Sequence, residues 1–211
     1  MNFNLNKILT QIWHSEKLLF MKIFLSVLVL IIGLQSFTKA DDIKDFEIEG
    51  LSIGDSLLNF ATEKKIKSSI SSNQYPNNKY IIYMADKFIN LTNYDFLAAT
   101  VKKNDNQYIV TSLKGAIFYK NLDECLKLRS EIRNFIEKII TFDDVEETTY
   151  DSQDGLGVIH ALQMYLKPYP SVEAIVLNCN DYFENTGYHK DLSVSVNPED
   201  YAYFLINEAY K

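Results

Sequence analysis

The spacing of apolar and polar positions changes along the chain, and each change of period marks an element. Residues 55 to about 67 place Leu57, Leu58, Phe60 and Ala61 ahead of the charged end Glu63-Lys64-Lys65, which predicts a short helix capped by Asp55. Residues 68–78 are rich in Ser and Asn and predict a loop. Residues 80–88 read as a strand, and residues 94–103 and 108–119 as two β-rich runs around Asn104-Asp105-Asn106-Gln107, hence an antiparallel hairpin. Residues 121–140 carry a helical period. Cys125, Leu128, Ile132, Phe135, Ile136 and Ile139 share one face, and Asn121 with Glu124 forms a capping-box-like start. Asp123 with Lys127, and Arg133 with Glu137, stand at i,i+4 on the outer face.

Residues 142–157 are acidic and turn-rich. Residues 158–167 then alternate as a strand, with Leu162, Met164 and Leu166 on one side, and Pro168-Tyr169-Pro170 turns it. Residues 173–180 and 191–196 are further strands around the turn Glu184-Asn185-Thr186-Gly187. The closing helix begins at Asn197-Pro198-Glu199-Asp200, where Asn197 is the expected cap, Pro198 the first helical residue and the acids its first turn. The order is α, three β, α, three or four β, α. Strands joined by hairpins predict an α+β fold, with antiparallel sheet or sheets packed by two or three helices, rather than a doubly wound parallel sheet.

Composition adds compartment to this picture. Residues 21–40 have the layout of a secretory signal: Lys22, an apolar run over residues 23–34, and Thr38-Lys39-Ala40 as a small-residue cleavage site before Asp41. The run is about a dozen residues against the ~20 that span a bilayer, so membrane contact is expected only in transit, with an uncleaved anchor as the alternative. Residues 1–20 read as an extended n-region or a misassigned start, which leaves residues 41–211 as a single domain. The chain carries a net charge of −7, and the four Lys and one Glu of the first 40 residues mean that the remainder is more acidic still. That balance excludes nucleic acid as a partner, because no stripe of Lys and Arg is present to neutralise phosphates. The two cysteines of an exported chain, Cys125 and Cys179, are expected to pair as a disulfide, with unpaired buried thiols as the alternative.

Candidate chemistry concentrates at one place. Gly54-Asp55-Ser56-Leu57 resembles the GDSL box of a hydrolase family, and Gly50-Leu51-Ser52-Ile53-Gly54 fits the nucleophile-elbow pattern G-x-S-x-G. The resemblance implies Ser56 as nucleophile, a downstream G-x-N-D block, a D-x-x-H pair near the C-terminus and a three-layered parallel fold. Asn178-Cys179-Asn180-Asp181 matches the block only in part, with Asn178 in the glycine position. His189 has Thr186 three residues before it and His160 has Gly157, so no D-x-x-H pair is present. Asp55 and Ser56 equally suit the start of a helix. Asp143, Asp144, Glu146, Glu147, Asp151 and Asp154 supply oxygen ligands of the type Ca²⁺ prefers, but not at EF-hand spacing, and a solvated acidic loop is the simpler account. His160 and His189 are too few for a zinc site, and no cofactor or metal is called for. Tyrosines gather in the last third, at Tyr150, Tyr165, Tyr169, Tyr182, Tyr188, Tyr201, Tyr203 and Tyr210; they suit the rim of a sheet core, or an aromatic face for sugars or peptides.

Ile48-Glu49-Gly50-Leu51-Ser52-Ile53-Gly54-Asp55-Ser56-Leu57-Leu58, directly after a signal and followed by a Cys-bearing helix and a late Cys on a strand, resembles a group of small exported proteins of bacteria with compact, AT-rich genomes. That group carries no assigned activity. The expectation is therefore an exported, periplasmic or secreted, binding or envelope-associated accessory protein without catalytic activity. The alternatives are a small periplasmic serine esterase using Ser56 and a structural protein tethered by an uncleaved signal anchor.

Overall fold

The computed structural model describes residues 43, 46–152 and 154–211; the expected signal and start segments lie outside the described residues. A two-stranded hairpin, β1 (Glu47–Ile48) and β2 (Leu51–Ser52), leads into a 3-10 turn (Leu57–Asn59) and a short helix α1 (Glu63–Ser68). Strands β3 (Tyr80–Met84), β4 (Phe96–Lys102) and β5 (Val110–Phe118) form one meander. Helix α2 (Leu122–Ile139) then leads to a second, β6 (Asp144–Asp151), β7 (Gly157–Tyr165), β8 (Ala174–Tyr182) and β9 (Asp191–Asn197), and helix α3 (Glu199–Asn207) follows. The fold is α+β.

All seven long strands join one antiparallel sheet in the order β3-β4-β5-β9-β8-β7-β6. The two meanders meet at β5 and β9 in the middle, so α2 must carry the chain from the centre to the far edge. Four strand spacings amount to roughly 19 Å, and 18 helical residues to roughly 27 Å, so the helix has the length to lie obliquely over that half of the sheet.

Alternation decides what that helix covers. Leu113, Val194, Leu177 and Leu162 are among the side chains that share one face with Cys179, and all are buried against α2 through Cys125, Ile132 and Ile136. Cys125 and Cys179 are joined there as a disulfide, with Cα atoms 6.0 Å apart. Arg129 also enters this layer, where its Nη1 donates to the His160 carbonyl at 3.0 Å and its Nη2 meets Glu147 at 3.2 Å. Asn121 Oδ1 caps the helix by accepting from Glu124 N–H at 3.0 Å.

Three expectations are corrected. Residues 55–67 are not one helix, and Asp55 caps nothing. Ser56 is the N-cap of the 3-10 turn, while Asp55 Oδ2 reaches back to accept from Ser52 N–H at 2.9 Å. Pairing wins over propensity here, because residues 54–57 run antiparallel to residues 108–110 through Gly54 N–H to Val110 O, Val110 N–H to Asp55 O and Leu57 N–H to Tyr108 O, at 2.9, 2.9 and 3.1 Å. Second, the acidic stretch holds strand β6, which pairs along its whole length with β7. Its exposed acids suit a sheet edge, where charge discourages pairing with another chain. Third, Asn197 still belongs to β9, with Ser112 Oγ 3.0 Å from its Oδ1, and Pro198 occupies the cap position of α3.

The opposite edge, β3, is closed differently. Gln74 lies beside Ile82 like a strand residue, its Nε2 donating to the Ile82 carbonyl and its Oε1 accepting from the Ile82 N–H, both at 3.0 Å.

Candidate functional site

The face of the sheet turned away from α2 is lined by short side chains. Ala98, Ala116, Ser193 and Ala174 occupy positions where the other face has branched aliphatics, and they leave room above the strands. Helix α3 covers only one end. Tyr80, Tyr201 and Phe204 form a separate small core there, with ring centroids 4.7 to 6.0 Å apart. What remains is a groove of about 440 Å³ between α3 and the strands, within the roughly 300–1,000 Å³ typical of small-molecule sites.

Its floor is built in rows across the sheet. Thr100 stands opposite Ser112, and Ala174 opposite both Asn197 and Tyr165; one step along, Lys114 stands opposite Ala98 and Ser195, and Val176 opposite Ser195 and Gln163. Ala202, Leu205 and Ile206 of α3 provide an apolar wall, and Tyr75 and Tyr150 also line the groove. Several polar atoms are paired. The Tyr75 and Tyr201 hydroxyls lie 2.9 Å apart, Thr100 Oγ1 donates to Tyr201 at 3.4 Å, and Tyr165 donates to Gln163 Oε1 at 2.6 Å. Asn178 Oδ1 is buried there and meets no hydrogen-bond donor.

Burial holds these phenols protonated. It raises Tyr75 well above the ordinary tyrosine range, with Tyr201 alongside adding to the effect, and it raises Tyr150, Tyr165 and Tyr201 as well. Lys114 is therefore the one charged side chain in the lining, and no Asp or Glu faces it there. The groove offers shape, hydroxyls, an amide and an ammonium, but neither a cysteine nor a histidine.

The GDSL-like residues lie elsewhere and are held by the backbone. Ser56 Oγ donates to the Gln107 carbonyl at 2.5 Å and accepts from Leu58 N–H at 3.2 Å. Neither of the two described histidines is its partner: His160 Nδ1 lies 3.2 Å from Thr149 Oγ1, and the His189 ring stacks on Phe118 at 4.5 Å. The sheet contains no parallel pair. No family model, curated protein or solved structure matches this chain.

The rest of the opening motif is also structural. Glu49 and Gly50 are the central residues of the β1–β2 turn, at φ 53° and 80°, as a two-residue type I′ hairpin turn requires. The Glu49 carboxylate then accepts from Thr92 N–H and Oγ1, Asn93 N–H and Tyr94 N–H at 3.1, 2.8, 2.7 and 3.1 Å. This ties the hairpin to the turn before β4. Ile48 and Tyr94 pack over Gly115 of β5, where a Cβ would sit 2.6 Å from the Tyr94 ring.

Among the described residues no group of three or more His, Cys, Asp or Glu side chains converges as metal ligands do. The six acids singled out as oxygen donors are scattered. Glu147 pairs with Arg129 and Arg133, and Asp154 accepts from Ser152 Oγ at 2.6 Å and Leu156 N–H at 3.0 Å.

Of the tyrosine cluster, the groove collects Tyr150, Tyr165 and Tyr201; Tyr210 is outside the lining but packs edge-on against Tyr75 with ring centroids 5.8 Å apart, and Tyr169 is exposed. Sequence reading passed over Lys114, considered Asn178 only as part of a G-x-N-D block, and did not place the closing helix against a groove. The signal for Lys114 was present: Ser112, Lys114 and Ala116 alternate with Leu113, Gly115 and Ile117, a polar face on a strand that proves to be central.

Proposed function

We propose that the chain is an exported, periplasmic or secreted, binding protein without catalytic activity, whose ligand occupies the groove between α3 and the open face of the sheet. The observation that carries this reading is the groove itself: a pocket of small-molecule size with one cation, several hydroxyls and an apolar wall, and no nucleophile paired to a base. Export is supported by the Cys125–Cys179 bond, since such bonds persist in oxidising compartments. Among the described residues no helix is long and apolar enough to cross a membrane.

Intact mass of the protein taken from its native envelope, under native and denaturing conditions and with and without reductant, tests both parts. The expected result is a chain starting at Asp41, a gain of about two daltons on reduction as a single disulfide requires, and extra mass under native conditions that is lost on denaturation. A chain that retains residues 21–40 and is unchanged by reductant would overturn the export reading. Turnover of p-nitrophenyl acetate that disappears in Ser56→Ala, with the fold intact, would overturn the non-catalytic one.

A further inference from the structure

The ligand's chemical class can be read from the charge at the groove, an inference that rests on the groove being the binding site. The chain is acidic, with a net charge of −7, and several of its lysines meet carboxylates: Lys67 with Glu63 at 2.7 Å, Lys79 with Glu208 at 2.9 Å, Lys190 with Asp181 at 2.6 Å. Lys114 has no such partner among the described residues. It projects from the middle of a central strand, flanked across the ladder by Ala98 and Ser195, both too short to reach its ammonium. The carboxylate whose charge it influences, Asp191, lies beyond ion-pair distance and is held by Asn180 Nδ2 at 2.8 Å. Lys114 is the one charge in the lining itself, with Asp191 beyond ion-pair distance and Glu146 at the margin 3.5 Å from the Tyr165 hydroxyl, so a carboxylate or phosphate entering the groove meets its attraction at Lys114.

The remainder of the lining specifies what the anion is attached to. Val176, Leu205 and Ile206 present hydrocarbon to the groove, and Ile206 is 65% exposed. Asn178 Oδ1 supplies an acceptor that nothing in the fold uses. We propose that the groove binds a small amphipathic organic anion, with its acidic group on Lys114, its apolar part against Val176 and the α3 wall, and a hydroxyl or N–H donating to Asn178.

The test is an ¹⁵N-¹H NMR titration of the purified protein with octanoate, and in parallel with 1-octanol as its uncharged counterpart. Octanoate is expected to shift the amides of Lys114, Val176 and Ile206 saturably, and 1-octanol to bind about tenfold or more weakly, the scale of one charge-assisted contact in a partly enclosed site. Lys114→Met is expected to remove that difference by weakening octanoate alone, and Lys120→Met, an exposed lysine outside the groove, to change neither. Equal binding of the two probes at these amides, or octanoate binding unaffected by Lys114→Met, overturns the anion assignment and leaves the groove as a binding site. Absence of saturable shifts at the groove with either probe overturns the assignment and the groove reading together.

Discussion

Replacing Glu49 with alanine should cost the domain about 3 kcal/mol, more than is usual for a partly exposed glutamate. Its carboxylate accepts three backbone N–H groups and one hydroxyl from residues 92–94. Thr92 is exposed, so its two donors recover water when the carboxylate is gone and contribute little. Asn93 is half-buried and Tyr94 buried, and each of their N–H groups loses a hydrogen bond to a charged acceptor, at roughly 1.5 kcal/mol apiece. The backbone makes the forecast sharper. Glu49 sits at φ 53°, where any residue with a Cβ is strained and glycine is not. Glu49→Gly should therefore be less damaging than Glu49→Ala by about 1 kcal/mol, the reverse of their order in a helix. Urea unfolding of the three proteins, followed by far-UV circular dichroism with the slopes compared, gives both numbers. A loss below about 1 kcal/mol for Glu49→Ala, or glycine worse than alanine, would refute the view that the opening motif is a structural latch.

Three other outcomes are expected. Replacing Cys125 and Cys179 together with alanine should lower unfolding free energy by about 4 kcal/mol, the chain-entropy value for a loop of 54 residues, and urea midpoints within error of the parent would sink that estimate. Gly115→Ala drives a methyl into the buried Tyr94 ring and should cost about 1–3 kcal/mol; thermal unfolding that is unchanged would show that the ring has room to move. Asp191 is raised above the ordinary aspartate value chiefly by burial, only partly offset by Lys114, Asn180 and His189. The folded state thus holds its proton more tightly than the unfolded chain does, so the stability this gives is complete below the unfolded value of about 3.9 and is lost as pH rises through the folded one. Asp191→Asn should accordingly gain on the parent as pH is raised from about 4 towards neutrality, and a difference that is flat with pH would contradict it.

The sequence by itself determined the elements that depend on short-range pattern. The 3.6-residue period with Asn121 at its head is α2, and the alternation through Leu162 and Met164 is β7. The hairpin order excluded a parallel sheet, and two cysteines in an otherwise cysteine-free chain left one pairing. Tertiary structure decided the rest. Residues 54–57 carry helix-start chemistry, yet pairing with residues 108–110 draws them out, because a partnered backbone outweighs a weak local preference. Residues 144–151 look like a solvated acidic loop, and become a strand only because β7 offers a ladder to pair with. The groove could not be read from the chain at all. Lys114, Asn178, Tyr75 and Ile206 are distant in sequence and come together because the two meanders meet at β5 and β9 and α3 returns over one end of the sheet. Local spacing encodes which face a side chain takes; which faces are left open is settled by long-range packing.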